Sequence, residues 1–157
     1  MTTGSAPSLV STEAIVSALD LDFSEFARGW EEAYRISVQS SGPPQTKMAL
    51  RRAGGLIETA YVSDAAGWVH EACVRQTSVT AEAWVRLASS GIIEEFWTMP
   101  EPERRMGLDG ATWTLEGHRY GRTRVASQWG GSDEICRVAD AFFEMIPSSA
   151  KQWEWIP

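Results

Sequence analysis

Residues 107–134 read GLDGATWTLEGHRYGRTRVASQWGGSDE, and the period of this stretch decides the fold class. Trp113 and Leu115 alternate with Thr114 and Glu116, the period-two pattern of a strand with one buried face. Alternation resumes after "HRY" and runs from Arg122 to Trp129. Gly117 and Gly121 bracket "HRY", an ordinary length for a hairpin loop. Pairing these two glycines sets Trp113 against Val125 and Leu115 against Thr123 on one face. On the other face Glu116 then opposes Arg122, and Thr114 opposes Arg124. Each such cross-strand pair contributes roughly 0.2–1 kcal/mol. The stretch therefore reads as scaffold. His118 falls at the exposed loop tip, where a general base lacks a shielded site.

Working upstream, "AYRISVQS" places Tyr34, Ile36 and Val38 on one face and Arg35, Ser37 and Gln39 on the other, a half-buried strand. "TKMALRR" turns Met48 and Leu50 inward, and "AGG" at 53–55 connects it tightly to "LIETAYV". "WVHEACVRQ" makes a fourth strand. Connections this short imply antiparallel neighbours, because a parallel pair needs a long crossover. Thr12 can cap a helix over 13–19, and Phe23, Phe26 and Trp30 form one further helical stripe. Thr80 caps a helix from Ala81 to about Ser89, with Ala81, Trp84, Leu87 and Ala88 as its apolar stripe and Gly91 as its stop.

Downstream of the quoted stretch, Ser132 caps a final helix whose positive N-terminus suits Asp133 and Glu134. Ile135, Val138, Ala139, Phe142 and Ile146 share its buried face, and Pro147 stops it. Strands come in a run and helices follow, so the class is α+β: an antiparallel sheet of about six strands with two to four helices packed on one face. A length of 157 residues fits one domain over 11–157, behind a mobile Ser/Thr/Gly/Pro-rich tail over 1–10. Eight tryptophans spread along the chain read as core-filling side chains rather than one aromatic platform.

The net charge of -7 argues against a nucleic-acid binder, which needs Lys and Arg to neutralise phosphates. It argues equally against docking to an anionic membrane surface. No stretch approaches the roughly 20 apolar residues of a membrane helix, and the N-terminus lacks the basic start of a signal peptide. The expectation is a cytoplasmic protein. Cys73 and Cys136 form no CxxC pair and are too few for a disulfide scaffold, although a bond between them is open. The histidines, His70 and His118, have no partner at metal-ligand spacing, so neither metal nor cofactor is expected.

Phosphate-loop, dinucleotide and nucleophile-elbow motifs are absent from the sequence. In "HEACVRQ", Glu71 and Cys73 share one strand face while His70 points to the other, which separates the Cys–His pair that nucleophilic catalysis needs. What remains is a local excess of acid. Between Glu82 and Glu103 five Glu stand against one Arg, interleaved with Trp84, Phe96 and Trp97. Such a mixture suits a basic protein partner, while its bland counterpart is a packed Trp stripe backed by a solvated acidic face.

Asp109, Gly110, Trp113, Leu115 and Glu116 spell DG-x-x-W-x-L-E. With a helix ending in "EEFWTMP" before it and an amphipathic helix behind it, this segment resembles a group of small, immunity-protein-like bacterial α+β proteins. The resemblance covers roughly residues 30 to 147 and implies a folding signature of turn, core Trp and surface Glu. The chain departs from the pattern in carrying "WGG" where a Pro follows the closing Trp, which leaves the start of the last helix open.

The leading expectation is a non-enzymatic protein-binding domain, an immunity protein or inhibitor neutralising a basic bacterial toxin or effector. Its candidate contacts are Glu94, Glu95, Glu101, Glu103 and Asp109. One alternative is a small enzyme or effector with a polar pocket on the sheet face around His70, Glu116 and Arg124. The other is a homo-oligomeric interaction module, such as a homodimer joined through exposed tryptophans.

Overall fold

The computed structural model describes residues 18–19, 21–40, 45–64, 73–75, 81–103, 105–107 and 110–145, with backbone alone at 45, 60–64, 73–75 and 81. The expected N-terminal tail, the Thr12 cap, His70, Glu71, Thr80, Asp109, Ile146, Pro147 and the tryptophan-bearing C-terminal segment lie outside the described residues. The elements run α1 Phe23–Phe26, β1 Glu32–Ser40, β2 Gln45–Ala53, β3 Leu56–Asp64, β4 Cys73–Arg75, α2 Ala81–Ser89, α3 Ile92–Thr98, β5 Ala111–Arg119, β6 Arg122–Trp129 and α4 Asp133–Glu144.

The class is α+β, built on one antiparallel sheet of order β4-β3-β2-β1-β5-β6. Five strands are long, and the sixth, β4, is a three-residue edge piece. Strands β1 to β4 follow one another as neighbours, as the short connections predict. After α2 and α3 the chain returns and β5 pairs with the free side of β1. β1 thereby becomes a central strand.

One face of the sheet carries the main core. Tyr34, Ile36, Met48, Leu50, Leu115 and Ala126 meet Trp84 and Leu87 of α2, Ile93 and Phe96 of α3, and Ile135, Val138, Ala139 and Phe142 of α4. Fully burying each large apolar side chain contributes about 1.5–3 kcal/mol. The α4 spacing matches the sequence expectation, and the Ile135 backbone N–H donates to the Ser132 hydroxyl at 3.2 Å, closing the cap. In α2 the stripe is narrower than expected, because Ala88 is exposed while Trp84 and Leu87 are buried.

The helices do not all lie on that face. Ala18, Leu19, Phe23, Phe26 and Ala27 pack against Ala33 and Ala49 on the opposite side. The first half of β1 is therefore buried on both faces, not half-buried. Small residues at 33 and 49 leave room for the aromatic rings, and the intervening charges are neutralised in pairs. Arg35 binds Glu116 through Nε at 2.5 Å and Nη2 at 3.0 Å, and Arg51 binds Glu58 at 2.7 Å. The guanidinium of Arg35 lies over the Phe23 and Phe26 rings, and that of Arg51 over Phe26 and Trp30.

The hairpin register differs from the sequence reading. Arg119 pairs with Arg122, so the loop is Tyr120–Gly121 alone, not "HRY". Both residues have positive φ, 48° and 78°. That two-residue geometry matches the right-handed strand twist, whereas a longer loop gives up ladder bonds. The slip is odd, so every β6 side chain changes face. Val125 is exposed and Ala126 buried. Glu116 opposes Val125 within the hairpin, and its ionic partner is Arg35 on β1, not Arg122. His118 sits within β5, half-buried opposite Thr123, rather than at a loop tip.

At the lower end of the main core is a buried polar chain. The Tyr34 hydroxyl donates to Glu32 Oε2 at 2.9 Å, and Arg52 donates to Glu32 Oε1 at 2.9 Å. Burial, reinforced by the Glu32 carboxylate, pushes the Tyr34 phenol well above its usual range. Tyr34→Phe is expected to lower stability at pH 8 by about 1.5–3 kcal/mol, since the lost hydrogen bond goes to a charged group. The folded chain keeps a proton that the unfolded chain releases above about pH 10. Stability present below that pH is thus lost as the pH rises further, and Tyr34→Phe lacks this component. Denaturant midpoints at pH 8 and pH 11 should show the gap between the two proteins narrowing; a constant gap contradicts the account.

Candidate functional site

The four acidic candidates among the described residues, Glu94, Glu95, Glu101 and Glu103, have different surroundings. Glu94 and Glu95 are neighbours on α3 but diverge around the helix. Glu94 pairs with Arg119 at the end of β5, and Glu95 pairs with Arg137 of α4. Each carboxylate holds its arginine above the usual guanidinium range, chiefly through its hydrogen bond, with burial acting in the opposite direction. These two glutamates thus tie α3 to the sheet and to α4. Asp109 lies outside the described residues.

Among the described residues, Glu101 and Glu103 are not bound to the sheet or to α4 by an ion pair. Both are exposed on the segment that follows α3. Glu103 has only a loose contact with Arg105, at 3.5 Å between two side chains that are largely in solvent. Exposed pairs of this kind contribute about 0–1 kcal/mol and leave the carboxylate available. The segment folds against the start of α4, where a groove of about 270 Å3 is lined by Met99, Glu101, Glu103, Gln128, Ser132 and Glu134 among others.

The acidic surface continues along α4. Asp133, Glu134, Asp140 and Glu144 are exposed there, and the one basic residue of the helix, Arg137, is engaged by Glu95. A second groove, of about 410 Å3, runs past Asp133, Arg137, Asp140 and Glu144 to Ile92 of α3. In the sequence pattern Asp133 and Glu134 stand as partners of the helix dipole, and Asp140 and Glu144 carry no assigned role. Their signal was present: Asp133, Glu134, Asp140 and Glu144 occupy none of the apolar positions at 135, 138, 139 and 142.

Two further features of α4 follow from its surroundings. Glu134 accepts hydrogen bonds from its own backbone N–H and from the Ser132 hydroxyl, which hold its carboxyl below the usual range. Burial, then Asp140 and Asp133, push the Cys136 thiol up, away from the thiolate that nucleophilic chemistry needs.

The polar pocket expected around His70, Glu116 and Arg124 is divided by the sheet. Glu116 points to the α1 face, whereas Arg124 points to the main core and donates to the carbonyls of Trp97 and Met99 at the end of α3. A polar groove of about 380 Å3 does border Glu116, with Arg35, Ser37, Gln39 and Thr114 in its walls. Its central charges neutralise each other, and Arg35 also donates to the carbonyls of Leu19 and Leu21 at 3.1 and 2.6 Å. His70 lies outside the described residues. Among the described residues no group of His, Cys, Asp and Glu side chains is placed to hold a metal ion, and no helix is long and apolar enough to cross a membrane.

Fold and surface together define an α+β domain with an acidic helical side. No protein-family model, no curated protein and no solved structure matches the chain.

Proposed function

We propose that this chain is a non-enzymatic protein-binding domain that engages a basic partner, in the manner of an immunity protein or inhibitor that covers a toxin or effector. The observation that carries the reading is the excess of exposed carboxylates along two grooves, Glu101, Glu103 and Glu134 beside Arg105 in one and Asp133, Asp140 and Glu144 beside Arg137 in the other. An excess of one sign steers a partner of the opposite sign and rejects like-charged competitors. Glu94 and Glu95 serve this surface indirectly, by holding α3 in place through Arg119 and Arg137.

This division of labour sets the test. Reversal of Glu101 and Glu103 to Lys removes surface charge without breaking a buried contact, so thermal stability is expected to stay within about 0.5 kcal/mol of wild type. Tagged wild-type protein should retain one stoichiometric basic protein from its source lysate at low salt and lose it at high salt, because exposed charges are screened within about 10 Å at 0.1 M. The Glu101→Lys/Glu103→Lys protein should retain at least tenfold less. Equal capture by both proteins, or a captured partner that is acidic, overturns the reading.

A further inference from the structure

We propose that the outer edge of β6 is a self-pairing surface, where two copies of the chain join antiparallel into one continuous sheet with the twofold axis at Val125. β6 ends the sheet on one side and is eight residues long, whereas the opposite edge strand has three. The hairpin register decides which of its backbone groups are free. Arg119 pairs with Arg122 across a two-residue turn, so Arg122, Arg124, Ala126 and Gln128 exchange backbone hydrogen bonds with β5. The N–H and C=O groups of Thr123, Val125 and Ser127 therefore point outward. Among the described residues no backbone group from a loop bonds to them. Their side chains are exposed as well, that residue at the centre, Val125, by 50 %.

Edge strands are commonly blunted by Pro, Lys, a bulge or a covering element. The segment RTRVASQW contains neither Pro nor Lys, and its register with β5 runs without a bulge. Its two arginines turn away from the edge: Arg124 donates to the carbonyls of Trp97 and Met99, and Arg122 lies over the Trp97 ring. Gly107 and Gly110 lie against the Trp129 ring at the end of the strand, which leaves 123–127 as the open stretch.

The residues of this edge select a second copy as the occupant. Centred on Val125, antiparallel pairing sets Val125 against Val125 and Thr123 against Ser127 on the exposed face. On the helix face it sets Arg124 against Ala126 and Arg122 against Gln128, so no like charges oppose. A shift of two residues one way sets Arg124 against Arg124. A shift the other way sets Val125 against Ser127 and Arg122 against Gly130. The central register also matches charge. Arg122 rests on the Trp97 ring rather than on a carboxylate, and it comes to the side where Gln128 of the other copy bonds the carbonyl of Glu103. The Glu103 side chain there is 81 % exposed.

The test measures molar mass by sedimentation and light scattering over a dilution series of the full chain. Wild type should have the mass of two chains when concentrated and fall to one on dilution. Val125→Pro removes an outward N–H and leaves every β5–β6 bond in place, because an edge strand accommodates Pro with its nitrogen facing solvent. It should keep a dispersed amide NMR spectrum and weaken self-association at least tenfold. Val125→Lys leaves the backbone alone and sets like charges together at the axis, and it should do the same.

Cross-linking reads the register. Paired Cα atoms about 5.5 Å apart lie within disulfide reach, so Val125→Cys should form a covalent dimer on mild oxidation. Ser127→Cys should not, because its two copies lie four residues apart along the strands, roughly 13 Å. Wild type, which carries Cys73 and Cys136, controls for other bonds. The pairing stands apart from the basic-partner reading, since Val125 lines neither acidic groove. A chain that stays single at every concentration overturns it. So does a dimer unchanged by Val125→Pro and Val125→Lys, or equal cross-linking through Ser127→Cys and Val125→Cys.

Discussion

Arg35→Ala is expected to destabilise the protein by about 3–5 kcal/mol. The side chains of Arg35 and Glu116 are 10 % and 16 % exposed, so removing the arginine leaves a carboxylate largely out of water with no counter-charge. The same guanidinium donates to the carbonyls of Leu19 and Leu21, which anchors the α1 region to the sheet. Its loss should therefore loosen Phe23 and Phe26 as well, the rings it covers. Denaturant unfolding of wild type, Arg35→Ala, Glu116→Leu and the Arg35→Met/Glu116→Leu pair separates these effects. The double variant should recover part of the loss, because a buried ion pair is often no better than apolar residues of similar volume. Recovery should stop short of wild type, since the two carbonyls stay without their donor. Amide exchange around residues 21–27 should quicken in Arg35→Ala beyond what the global loss explains. A cost under about 1 kcal/mol would mean the pair behaves as an exposed one.

The second large effect lies at the contact of Gly117 with Phe96. Gly117 is not a turn residue. It lies inside β5, opposite Tyr34 on β1 and Arg124 on β6, and a β-carbon there would overlap the Phe96 ring. Phe96 is 1 % exposed and packs edge-on against both Tyr34 and Trp97. Gly117→Ala is expected to cost about 1–3 kcal/mol through overpacking, and Phe96→Ala about 3–5 kcal/mol through the cavity it leaves. The two should not add. With the ring gone, the new methyl enters vacant space, so the double variant should be more stable than the sum of the single losses requires. Strict additivity in a double-mutant cycle would show that the glycine is needed for some reason other than Phe96.

Much of the scaffold was legible in the residues. Period two in 33–39 and 46–52 identified strands and their inward residues, and the spacing of Ile135, Val138, Ala139 and Phe142 identified the buried side of α4. The hairpin failed at its turn. "HRY" between two glycines and "YG" after an unbroken strand are both sound loops locally, and only the pairing of β5 along all of β1 favours the longer strand. That single choice reversed the face of Arg122, Arg124, Ala126 and Gln128, and so hid both the role of Arg124 in capping α3 and the unpaired acceptor of Gln128. The ion pairs of Glu94 and Glu95 were illegible for a related reason. Adjacency in "EEFW" cannot say which arginine each glutamate will meet, because Arg119 and Arg137 arrive from elements far along the chain.

The α+β class, the antiparallel meander of β1 to β4 and the buried side of α4 were determined by the sequence alone, since side-chain period and connection length are local properties. Tertiary structure decided the rest. It set β5 beside β1, covered the Arg35 face with α1, and paired Glu94 with Arg119 and Glu95 with Arg137 while leaving Glu103 only a loose contact with Arg105. A charge or a polar face has no fixed meaning until its neighbours are known. Burial and pairing depend on contacts between residues distant in the chain, and no local pattern encodes them.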